Sequence, residues 1–115
     1  MANDFKNAIA QNVSNSAGGT TIYTTPATKT SIMLELDIAN TTTNVVEASG
    51  EVLDSSVSAS AWRYLVKNAP VPSGGSLMVI AGQKIVLEAG DKVRVTSSAA
   101  SSMDVVAAIL EDVNS

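Results

Sequence analysis

Between Thr30 and Asn40 the sequence alternates with a period of two: Ile32, Leu34, Leu36 and Ile38 interleave with Met33, Glu35, Asp37 and Ala39. Wound into a helix, these residues scatter around the circumference. Extended, they separate into one aliphatic face and one face carrying two carboxylates. The stretch predicts a half-buried strand of an antiparallel sheet. Such a strand needs partners, and the remaining chain offers short apolar runs divided by turn residues.

Residues 1–7 read as a polar N-terminal arm with Phe5 isolated in it, and residues 8–115 as a β-sandwich domain. Ala8 to Val13 predicts a first strand, with Ile9 and Val13 on one face. The Ser14–Gly19 segment is a loop by its paired glycines and hydroxyl residues. Thr20 to Thr25 has strand composition and is stopped by Pro26, which has no N–H for a ladder. After the Asn40–Asn44 turn, Val45 to Leu53 predicts a strand with Glu47 and Glu51 on one face and Val46, Ala48 and Val52 on the other. Asp54 to Ser60 is a serine-rich loop.

Further along, Ala61 to Val66 and Leu77 to Ile80 predict strands joined by the Pro70–Ser76 connection. A tight turn is expected at Ala81-Gly82-Gln83. Lys84 to Leu87 and Lys92 to Thr96 are expected to pair as a hairpin through Glu88-Ala89-Gly90-Asp91. Met103 to Glu111 is apolar on both faces, so it predicts a central strand or one covered by a neighbouring subunit, with a helix over Asp104–Asp112 as the competing assignment. Eight or nine short strands, spaced about 8–12 residues apart, predict an all-β fold: a single-domain antiparallel β-sandwich or jelly roll.

Aromatic residues are 3% of the chain, so the core is left to Val, Ile, Leu and Ala. Full burial of one Val or Leu stabilises by about 1.5–3 kcal/mol. A small core of this kind points to oligomerisation or docking on a partner. Eleven acidic and seven basic residues give a net charge of −4, with the basic residues scattered singly. That balance argues against nucleic acid or an anionic membrane as partner. The N-terminus has no apolar stretch of signal-peptide length and no run approaches a membrane span, so the expectation is a soluble protein made in the cytoplasm.

The chain contains neither cysteine nor histidine. Thiolate nucleophiles, disulfides, cysteine-bound zinc and the commonest general base are therefore excluded. Glu35 and Asp37, facing Glu47 or Glu51 on the next strand, are the one carboxylate group suited to glycoside hydrolysis or calcium binding. No aromatic sugar platform accompanies them and no EF-hand spacing is present, so a solvated sheet face is the preferred reading. Gly74-Gly75 and Gly90-Asp91 precede no helix and match no phosphate-binding fingerprint. A serine hydrolase without histidine would need a Ser–Lys arrangement, and no serine is marked out for it. Asn12-Val13-Ser14 and Asn40-Thr41-Thr42 match glycosylation sequons in a chain where such matches arise by composition. Trp62 and Tyr64 lie on one strand face and are expected in the core. The sequence thus predicts no catalytic residue, no cofactor and no metal site.

Several segments, taken in order, carry a resemblance: Thr21-Ile22-Tyr23-Thr24-Thr25-Pro26-Ala27, the strand ending Ile38-Ala39-Asn40-Thr41, the run from Tyr64 through Pro70-Val71-Pro72-Ser73-Gly74-Gly75-Ser76-Leu77, and Lys84-Ile85-Val86-Leu87-Glu88-Ala89-Gly90-Asp91. Together they resemble the small all-β virion structural proteins of tailed bacteriophages, over most of the chain from Val13 to Glu111. The resemblance implies a repeated virion subunit: a capsid decoration (cement) protein bound to the major capsid protein, or a neck, collar or tail-fibre component with an adhesion or carbohydrate-binding role. A homotrimer is the expected assembly. The expected contact residues are Phe5 and Ile9 near the N-terminus and Pro70, Val71 and Pro72 in the Pro70–Ser76 loop.

Overall fold

A computed structural model describes residues 4–111. It contains eight strands: β1 (Asp4–Ala10), β2 (Thr20–Thr24), β3 (Ser31–Asn40), β4 (Val46–Leu53), β5 (Trp62–Val71), β6 (Ser76–Leu87), β7 (Lys92–Ser97) and β8 (Met103–Glu111). They form two four-stranded sheets, ordered β1-β8-β3-β6 and β2-β7-β4-β5. All strand pairs are antiparallel, and they nest: β1 with β8, β2 with β7, β3 with β6, β4 with β5. The chain is thus one long hairpin, folded at the β4–β5 connection and rolled up. This is the jelly roll, the more specific of the two architectures expected from the sequence.

Aliphatic side chains fill the space between the sheets. Met33, Leu36, Ile38, Ile80, Leu87, Met103, Val105, Ala107 and Ile109 come from the first sheet, and Ile22, Val46, Ala48, Val71, Val93 and Val95 from the second. Val13, in the β1–β2 connection, completes the cluster. No aromatic residue is buried in it.

The alternation in β3 holds, but not in the phase that a regular strand gives. Met33 pairs with Ile109 and Glu35 with Ala108, so Leu34 is an extra residue in the ladder. Such a bulge exchanges the two faces of a strand. Ser31 and Met33 point inward before it, and Leu36, Ile38 and Asn40 after it, leaving Ile32 and Leu34 half-buried on the outside. The expected turn at Ala81-Gly82-Gln83 is also a bulge. β6 runs unbroken from Ser76 to Leu87, and residues 82–84 loop out opposite Leu34. Gly82 (φ 118°) and Lys84 (φ 54°) take the left-handed conformations this needs, and the Gln83 side chain caps the loop through Ala81 N and Val79 O.

The Glu88–Asp91 turn forms, closed by Asp91 N donating to Glu88 O at 2.9 Å, yet it makes no hairpin. β6 and β7 belong to different sheets, and the turn carries the chain across the sandwich. β8 is a central strand, between β1 and β3. The first strand starts earlier than expected. Asp4 to Asn7, read from sequence as part of an arm, are already in β1 opposite Glu111 to Ala108; residues 1–3 lie outside the described residues. The polar composition of Asp4–Asn7 suits an edge strand, which needs only its backbone to join the sheet.

Candidate functional site

The two sheets differ on their outer surfaces. On the β1-β8-β3-β6 sheet the strand registers place Phe5, Leu110, Ile32 and Val86 side by side, one from each strand. An apolar row therefore crosses the whole sheet. A second row runs Ile9, Val106, Asp37 and Met78, and between the two lie Asn7, Ala108, Glu35 and Ala81. Phe5 is 77% exposed, Ile9 73%, Met78 66% and Val86 63%. Single exposed apolar residues are ordinary, whereas a contiguous set on one face marks a contact surface.

Two carboxylates interrupt this face. Glu35 and Asp37 follow the Leu34 bulge, which turns both outward. The hydrogen bond to Asp37, then the charge of Asp37, and lastly partial desolvation raise the Glu35 pKa above the ordinary carboxylate value. Asp37 Oδ1 is buried and finds no hydrogen-bond partner. Glu47 and Glu51, expected to face this pair, are on the other sheet. Glu51 instead accepts two bonds from Arg94, from Nε at 3.0 Å and from an Nη nitrogen at 3.2 Å. The four carboxylates are not brought together, and the arrangement considered for glycoside hydrolysis does not form.

Arg94 also stacks on Trp62, with its guanidinium carbon 3.8 Å from the ring centroid. This corrects the expectation that Trp62 and Tyr64 are core residues. Trp62 is half-buried under Arg94, and Tyr64 is exposed, with the Lys67 ammonium 5.2 Å from its ring. Both are on the edge strand β5, whose ladder with β4 slips twice near Gly50.

The contact residues expected from sequence divide in the same way. Phe5 and Ile9 fall on the apolar outer face. Pro70 and Pro72 are exposed at the β5–β6 turn, at the opposite end of the sandwich from the Phe5 row. Val71 is not a contact residue: it is fully buried in the core. β5 extends through Pro70 because an edge strand tolerates a missing N–H, and the next residue then points inward.

At one corner the sheets are clasped. Glu111 accepts an ion-pair hydrogen bond from Lys6 Nζ at 2.7 Å and another from the Tyr23 hydroxyl, which is also within 2.9 Å of Ser31 Oγ. Lys6 and Tyr23 hold the Glu111 pKa below the ordinary value. Burial, reinforced by the bond to Glu111, pushes the Tyr23 pKa up to about 12. At another corner Asp54, Glu88 and Asp91 converge, a group that periodicity does not reveal. The buried Asp91 already accepts from Ser55 N, Ser55 Oγ and Glu88 N, so it serves as a turn stitch.

The sequence matches no family model and no curated protein. A solved structure of infectious bursal disease virus, Gt strain, aligns with 95% of this chain at 14% identity and a TM-score of 0.48. The chain spans 32% of that viral chain.

Proposed function

We propose that this chain is a non-enzymatic structural subunit of a phage virion, a capsid decoration protein that seats the outer face of its β1-β8-β3-β6 sheet on the major capsid protein. The observation that carries the proposal is the apolar row Phe5–Leu110–Ile32–Val86, which spans four strands without a polar break. The resemblance of the turn and strand segments to small phage virion proteins supports the same reading. Charge specifies the partner further. The Glu35 and Asp37 carboxylates on this face call for a lysine or arginine set among apolar side chains. A second copy of the chain offers the same carboxylates and the same net charge of −4, so a capsid surface with a cation fits this face better.

Expanded shells of a phage encoding the chain, incubated with the purified protein, are expected to bind it and to withstand a higher temperature or chelator concentration. Shells that bind none contradict the proposal. The exposure of Tyr64 beside Trp62 favours a second reading, a glycan-binding adhesion module at the tail. In that case glycans perturb Trp62 fluorescence and shells remain unbound.

A further inference from the structure

β1 is held differently from every other strand of its sheet. None of its residues is buried, and its large apolar side chains, Phe5 and Ile9, point away from the core. Only Ala8 and Ala10 pack against the interior, both partly. Its partner β8, by contrast, buries every second residue from Met103 to Glu111. What retains β1 is the seven-residue ladder to β8 and the Lys6–Glu111 pair. These interactions are specified by register, and any β1 segment of the same sequence satisfies them.

The hinge is equally well defined. Val13 is fully buried and donates to Met103 O at 3.0 Å, so the chain is anchored there. Between that anchor and β1, Asn12 turns through the left-handed region at φ 55°, a conformation that an extended linker does not need. Its backbone N–H makes a 3.3 Å bond to Asp104.

We infer that β1 exchanges between copies, the strand of one chain completing the β8 edge of the next. The occupant is a second copy because only this sequence supplies the Lys6 cation to Glu111 together with small Ala8 and Ala10 side chains to the core. Exchange preserves each β1–β8 contact and releases the Asn12 turn, which makes it a low-cost route to a closed dimer or ring. This inference is independent of the docking proposal, since it concerns the edge of the sheet rather than its outer face.

The chain has no cysteine, so the exchange can be trapped. Ile9 and Val106 are register partners on the exposed side of the β1–β8 pair, at a separation that a disulfide spans. Chains carrying Ile9→Cys are mixed with chains carrying Val106→Cys at high concentration and oxidised mildly. A disulfide-linked mixed dimer is expected, well above that from a Phe5→Cys and Val106→Cys mixture, because Phe5 sits opposite Leu110. Light scattering on the wild-type protein should show a dimer or ring that grows with concentration and persists after dilution. Equal cross-linking in the two mixtures, or a wild-type protein that stays monomeric at every concentration, overturns the inference.

Discussion

Replacing Glu111 with alanine isolates the clasp between the sheets. The substitution removes the acceptor for Lys6 and Tyr23 and leaves the Tyr23 hydroxyl its contact with Ser31. A hydrogen bond to a charged group contributes about 1.5–3 kcal/mol. The Lys6 side chain is half exposed, so solvent screens its ion pair and the Tyr23 bond carries most of the effect. The expected loss is about 2–3 kcal/mol near neutral pH, read from denaturant midpoints at constant m-value.

The pH dependence carries the sign. Because the Glu111 pKa is lowered in the folded state, its contribution is complete above the unfolded carboxylate value of about 4.3 and fades as pH falls through the folded value. Wild type and Glu111→Ala should therefore converge in acid. Tyr23, raised to about 12, behaves oppositely: its contribution is complete below its unfolded value of about 10 and is lost as pH rises through the folded one. That alkaline loss should shrink in the variant. A stability difference as large at about pH 3 as at neutrality would refute the assignment, since a packing defect does not titrate.

Other perturbations test separate parts of the fold. Asn40→Ala should cost about 2–3 kcal/mol in denaturant unfolding, because the buried side chain donates to Asn44 O and Val71 O and accepts from Thr42. Arg94→Ala should shift Trp62 emission to the red and cost about 1–3 kcal/mol by leaving Glu51 unpaired. Gly19→Ala should cost about 2–3 kcal/mol in thermal unfolding. Its Cβ would lie 2.3 Å from Val95 O at a position with φ 55°.

Local patterns carried much of this architecture. The Thr30–Asn40 alternation, the loop at Ser14–Gly19, the stop at Pro26 and the two-sided apolarity of Met103–Glu111 each correspond to a feature of the structure. Pairing was not legible, because the jelly roll joins strands from opposite ends of the chain, and periodicity does not tell one sheet from the other. Hence the sequence alone points to a hairpin at the Glu88–Asp91 turn and to Glu51 facing Glu35, whereas both pairs of strands are split between the sheets. Bulges hide for a related reason. Leu34 is an ordinary apolar residue in an alternating run, and only its neighbours' register reveals that it is extra. Gly82 gave a real signal of positive φ, but a turn and a bulge share it.

The candidate site was half visible. Phe5 is legible as an apolar residue in a polar segment and Ile9 as part of a first strand, whereas the outward placing of Ile32 and Val86 depends on bulges that periodicity does not show. Val71 erred in the other direction, since proline on both sides suggested a loop where an edge strand continues.

The docking face itself is tested most directly by hydroxyl-radical footprinting of the protein bound to expanded shells. Phe5 and Met78 report on the β1-β8-β3-β6 face, and Tyr64 with Trp62 on the other sheet. Docking through this face protects Phe5 and Met78 on shell binding and leaves Tyr64 and Trp62 as reactive as in the free protein. Protection of Tyr64 and Trp62, with Phe5 and Met78 unchanged, would contradict it.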